Sequence, residues 1–164
     1  MFPGGCTNVS DTETSSISGQ SARQGLIEPC ELITREDAER ILGEPVLKGE
    51  RSEQEAVGLK LCMYNPVDTN SWGFLQVALT QSAFMPENGL PPSDIFFSIR
   101  DAMSETRQDL EGLGDSAFIA TGGLYLLKDE YYISIGAGNI DRPDVQERLK
   151  RAGKQALERL ELLL

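Results

Sequence analysis

Three cysteines, 26 carboxylates and no histidine set the chemistry open to this chain of 164 residues. Without histidine the commonest general base, the usual nucleophile–histidine dyads and most transition-metal sites drop out. Carboxylates remain, but neighbouring acids are expected by chance at such a density. Asp129-Glu130 therefore reads as turn chemistry before it reads as a glycosidase pair. Asp68, Asn70 and Ser71 are oxygen ligands in kind, yet they lack the spacing and the glycine of an EF-hand loop, so they read as a polar loop. No Gly-x-Ser-x-Gly, Gly-x-Gly-x-x-Gly or P-loop pattern occurs. No Cys-x-x-Cys exists to found a zinc site. No catalytic residue, cofactor or metal is thus expected, and the candidates that remain are for binding. In residues 72–82, Leu75, Val77 and Leu79 alternate onto one face, while Trp72, Phe74 and Ala78 point to the other. A half-apolar second face is either covered by a helix or a shallow binding surface. On the second reading Trp72 and Phe74 are the ligand-binding residues.

The cysteines point to a compartment. Met1-Phe2-Pro3-Gly4-Gly5-Cys6 precedes residues 7–22, of which eight of sixteen are Ser or Thr and only Val9, Ile17 and Ala22 are apolar. A segment so poor in apolar residues cannot offset its ordering entropy, so residues 1–25 are expected to be a disordered tether. A small residue before Cys and a polar stretch after it resemble the mature start of a bacterial lipoprotein. That resemblance implies a lipid on Cys6, and with it export. The five residues before Cys6 carry no charged and apolar export signal of their own. With Cys6 set aside, Cys30 and Cys62 form an even pair, the arithmetic of one disulfide in an exported protein. Two unrelated buried thiols are the alternative. A bridge closing a loop of about 33 residues contributes roughly 3–4 kcal/mol.

Charge narrows the partners. Fifteen bases against 26 acids leave −11, which repels phosphate backbones and anionic lipid surfaces. No nucleic acid is expected, and with no run of 18 apolar residues the expected route to a membrane is a lipid at Cys6. The charge serves solubility or offers an acidic patch to a basic partner.

These residues need elements to hold them. Residues 26–164 suit one α+β domain, long enough to bury roughly two-thirds of its unfolded surface. Thr34, with Asp37 three residues on, starts a helix whose stripe is Ala38, Ile41 and Leu42, and Gly43 stops it. Glu36 and Arg40 make an i,i+4 pair on it. Strands are expected at 46–48, 56–64 and 72–82, with a polar turn at 49–54. A helix beginning near Ser93-Asp94 carries Ile95, Phe96, Ile99, Ala102 and Met103. Strands at 116–121, 124–128 and 131–137 follow as an antiparallel meander. The last helix starts at about Arg142 with Asp141 as N-cap, and its stripe is Val145, Leu149, Ala152, Ala156, Leu160 and Leu163; Gly153 weakens it by about 1 kcal/mol. The expected order is α-β-β-β-α-β-β-β-α, an antiparallel sheet of about five or six strands with helices packed on one face. The echo of Leu42-Gly43-Glu44-Pro45-Val46 in Leu113-Gly114-Asp115-Ser116-Ala117 suggests two related halves.

Glu28-Pro29-Cys30-Glu31-Leu32-Ile33-Thr34, then Leu42-Gly43, then Cys62-Met63-Tyr64 and Gly112-Leu113-Gly114-Asp115-Ser116-Ala117-Phe118 resemble small lipoproteins of unknown function common in actinobacteria. The resemblance runs from about Glu28 to the C-terminus. It implies export to the cell envelope, a Cys30–Cys62 bridge and a PsbP-like α/β fold, and it supplies no activity. The function expected is a non-enzymatic module for an unknown protein or small-molecule ligand. A small carboxylate-based hydrolase and a cytosolic interaction domain with free thiols are the alternatives.

Overall fold

The structure, a computed structural model, describes residues 25–164. Cys6 and all of the expected tether but Gly25 lie outside them. Helices α1 (Pro29–Leu32) and α2 (Arg35–Leu42) come first. The expected capping box on α2 is present: the Asp37 N–H donates to Thr34 Oγ1 (3.2 Å), and the Thr34 N–H donates to Asp37 Oδ2 (3.0 Å). Arg40 pairs with Asp37 and not with Glu36, while Arg35 reaches Glu39 (3.6 Å). Asp37 is buried and also takes Arg159 from the last helix (3.2 Å), so its carboxylate is better placed for Arg40 than the exposed Glu36 is.

One sheet of seven antiparallel strands follows, in the order β1-β2-β3-β7-β6-β5-β4. Its strands are β1 (Glu50–Gln54), β2 (Leu59–Tyr64), β3 (Leu75–Gln81), β4 (Gln108–Leu110), β5 (Ser116–Ala120), β6 (Gly123–Lys128) and β7 (Tyr131–Gly136). Helix α3 (Pro92–Ala102) links β3 to β4, and α4 (Pro143–Leu163) ends the chain. Seven strands replace the five or six expected. The stretch 49–54, read as a turn, supplies an edge strand, whereas 46–48 makes only a bridge from Val46 to Pro66. Every residue of β1 is exposed, so no alternation marks it. Helix α4 starts one residue later than expected because Pro143 fits the first helical position; Arg142, not Asp141, is its N-cap. Leu163 and Ala102 are exposed and leave their stripes.

Helices cover both faces of the sheet, not one. On the first face Cys62, Tyr64, Leu75, Val77, Leu79, Ile119, Leu124, Leu126, Ile133 and Ile135 meet Leu32, Ala38, Ile41 and the Val145–Leu149–Ala152–Ala156–Leu160 stripe of α4. The cost assigned to Gly153 has a reason here: a Cβ would sit 3.1 Å from Leu124 and 3.2 Å from Leu113, so glycine lets α4 lie close on β6. On the second face Phe96 of α3 is fully buried against Phe118, Ala120, Leu127 and Tyr132. The helices preceding the two strand sets thus lie on opposite faces. At the start of β6, Gly123 has φ 137°, and a Cβ there would stand 1.9 Å from the Ile135 carbonyl oxygen.

Three ties fix the segment where the described chain begins. Gln81, fully buried, holds Ile27 by both amide atoms: Ile27 N–H donates to Oε1 (2.8 Å), and Nε2 donates to the Ile27 carbonyl (2.7 Å). Lys60 donates to Glu28 (2.7 Å) and Glu53 (3.2 Å). Burial pulls the Lys60 ammonium down, but hydrogen bonds and attraction from those two carboxylates outweigh it and hold it above its ordinary value. Cys30 and Cys62 are disulfide-bonded, with Cα atoms 5.4 Å apart. Gly49 leaves room for the bridge, since a Cβ there would lie 2.8 Å from Cys62 Sγ and 3.2 Å from Cys30 Sγ. Beside it Tyr64 donates its phenol to the Ile33 carbonyl (2.6 Å).

Candidate functional site

Because α3 covers the second face only over β5, β6 and β7, the part over β2 and β3 is left as a groove. Pairing places Leu59 opposite Thr80 and Leu61 opposite Ala78, with Ala78 opposite Ser134 and Thr80 opposite Tyr132. Strand alternation turns these side chains, with Gln76, to the same face, where they form the floor. Ile95 and Ile99 of α3 make one wall. Ala56 and Val57 from a 3-10 turn, with Met85, Asn88, Gly89 and Leu90 from the loop after β3, make the other. The groove encloses about 610 Å³, within the range of small-molecule sites. Val57 and Leu90 stand exposed on its rim.

No Asp, Glu, Lys or Arg contributes to this lining. Its polar atoms are the amides of Gln76 and Asn88, the hydroxyls of Thr80 and Ser134, and the Tyr132 phenol. Burial pushes that phenol well above its ordinary range, with Tyr125 adding to the effect and Ser134 opposing it. It stays neutral at physiological pH. The two hydroxyls have no carboxylate, amine or imidazole beside them in the lining to act as a base.

Trp72 and Phe74 do not join this groove. Both precede β3, which begins at Leu75 and not at 72, and they border a second cleft at the other end of the sheet with Glu44, Ser71, Asn139, Arg142 and Arg148. Ala78, placed with them on the second face by alternation, is part of the groove floor. The two readings of that face therefore divide along the sheet: helix cover over β5, β6 and β7, and an open surface over β2 and β3. Leu59, Leu61, Ile95 and Ile99 were not singled out as site residues. The signal available for them was the pattern of β5, where Ala117, Phe118, Ile119 and Ala120 are all buried. Continuous burial there means a second covered face, whose uncovered remainder is the groove. Asp68, Asn70 and Ser71 form a turn in which Asn70 N–H donates to Asp68 Oδ1 (2.9 Å). Among the described residues no group of carboxylates and cysteines is arranged to hold a metal. No helix among them is long and apolar enough to cross a membrane.

An α+β domain with helices on both sheet faces and an uncharged apolar groove is the class that fold and site define. Compared with protein-family models, curated proteins and solved structures, the chain matches none.

Proposed function

We propose that the protein is an exported, lipid-anchored protein of the cell envelope. Its domain binds a small uncharged apolar molecule in the groove between α3 and the β2–β3 half of the sheet, and catalyses no reaction on it. The observation that carries the binding reading is the lining: fifteen residues, none charged, around about 610 Å³. A charged ligand would lose its hydration there without a partner, whereas an apolar one gains by burial. The resemblance at Cys6 and from Glu28 onward supports export, and the Cys30–Cys62 bridge fits an oxidising compartment.

The neutral dye Nile red tests the groove. We expect its emission to rise and shift blue saturably with the folded domain, and a neutral monoacylglycerol to displace it. Leu61→Glu places a carboxylate on the half-buried floor and should weaken dye binding by at least about tenfold. Dye binding that does not saturate, or that Leu61→Glu leaves unchanged, rules the groove out. For the anchor, the Cys6 peptide from cell-derived protein should carry acyl mass; a free thiol at Cys6 would refute lipidation without touching the groove.

A further inference from the structure

We propose that the cleft at the far end of the sheet binds a saccharide ring, with the Trp72 indole as the surface on which the ring stacks. This does not rest on the apolar groove, which lies over the middle and other end of the same strands. A lone exposed apolar residue needs no explanation. Trp72 differs because it is 94% exposed and borders a concavity of about 610 Å³ rather than a flat surface.

The walls of this cleft are unlike those of the groove. Ser71, Asn139, Glu44, Arg142 and Arg148 supply donors and acceptors together. An apolar ligand would cover those groups without pairing them. A strong anion meets Glu44, and both arginines are already engaged: Arg142 donates twice to Asp144 (2.8 and 3.1 Å), and Arg148 lies 3.8 Å from the same carboxylate. Two arginines against Glu44 and Asp144 leave the neighbourhood close to neutral. A sugar ring matches this set, because one of its faces presents C–H groups to an aromatic plane and its edge presents hydroxyls that both donate and accept.

The polar groups are also held in place. Ser71 Oγ donates to Glu44 Oε2 (2.8 Å) and accepts from the Gly73 N–H (3.1 Å). Asn139 Oδ1 accepts from the Asp141 N–H (2.9 Å). A Cβ at Gly73 would stand 2.9 Å from Glu44 Oε2, so glycine there keeps the loop against that carboxylate. Groups fixed before the ligand arrives lose less freedom on binding. Glu44 is the one carboxylate in the lining, and glycosidic hydrolysis takes two, so the cleft holds a sugar and does not cleave it.

Trp72 is the only tryptophan in the chain, so its emission reports this cleft alone. We expect maltotriose, cellotriose or chitotriose, titrated into the millimolar range, to shift that emission blue and saturate. By calorimetry Trp72→Ala should weaken the binding about tenfold, and Trp72→Phe should restore part of it. The side chain is exposed and outside the strands, so both variants should unfold at the wild-type temperature. Leu61→Glu, which disables the groove, should leave the titration unchanged. No saturable change with any of the three sugars, or undiminished binding by Trp72→Ala, overturns the proposal.

Discussion

Reducing the Cys30–Cys62 bridge should lower the unfolding temperature by about 12 °C, and the figure follows from chain statistics. The two cysteines are separated by 32 residues. Opening a loop of that size returns about 3–4 kcal/mol of entropy to the unfolded chain. A domain of about 140 residues gains about 0.3 kcal/mol per kelvin in unfolding entropy, which converts that loss to about 12 °C. Reduction keeps both sulfurs, so it isolates the cross-link. The Cys30→Ala/Cys62→Ala pair also removes the sulfurs that lie beside Gly49, one of them the fully buried Cys62 sulfur, and should lose roughly 1 kcal/mol more. Calorimetry of oxidised protein, of protein whose reduction is verified by intact mass, and of the double variant gives both differences. A fall of less than about 4 °C on full reduction would mean that residual structure already restricts the reduced unfolded chain, and the chain-entropy reasoning would fail.

Alkaline pH should destabilise the domain through its buried tyrosines and Lys60. Tyr64 is pushed up to about 12, first by burial and then by the negative charges of Asp37 and Glu36. Lys60 and Tyr125 are also held above their ordinary values. A raised folded value gives stability that is complete below the unfolded value, 10.0 for Tyr64, and drains away as pH climbs toward the folded one. For Tyr64 the full amount is about 3 kcal/mol. Thermal midpoints should therefore hold level to about pH 9.5 and fall above pH 10; a level profile to pH 12 would contradict the burial of Tyr64. Separately, Gln81→Leu leaves the Ile27 N–H and carbonyl without partners and should cost about 1–3 kcal/mol. Hydrogen exchange at Ile27 should quicken even where global unfolding is slow, and unchanged exchange would mean the clamp contributes nothing.

What the sequence discloses of this fold depends on whether an element buries a face. Helix α2, β2, β3, the β5–β7 meander and α4 all do, and their apolar spacing places them to within a few residues. Glu50–Gln54 buries nothing and is held by its backbone ladder and the Glu53–Lys60 pair, so Glu-Arg-Ser-Glu-Gln looks like a turn. Gln108–Leu110 is too short for any period to register. The site was harder to read because it is a remainder. Its position depends on where Phe96 docks, and Phe96 is placed by Phe118 and Tyr132, distant in sequence and on other strands. Trp72 was legible as a residue of the second face, covered or open, but which cleft it borders depends on β3 starting three residues later.

The two proposed sites sit at unequal distances from where the chain enters the domain. Gln81, the last residue of β3, clamps Ile27, while Trp72 stands just ahead of its first residue, Leu75. A seven-residue strand separates the two ends by about 20 Å. The loop carrying Met85 and Leu90, which walls the groove, follows β3 on the clamped side. The sheet thus separates an apolar end from a hydrogen-bonding end along β3.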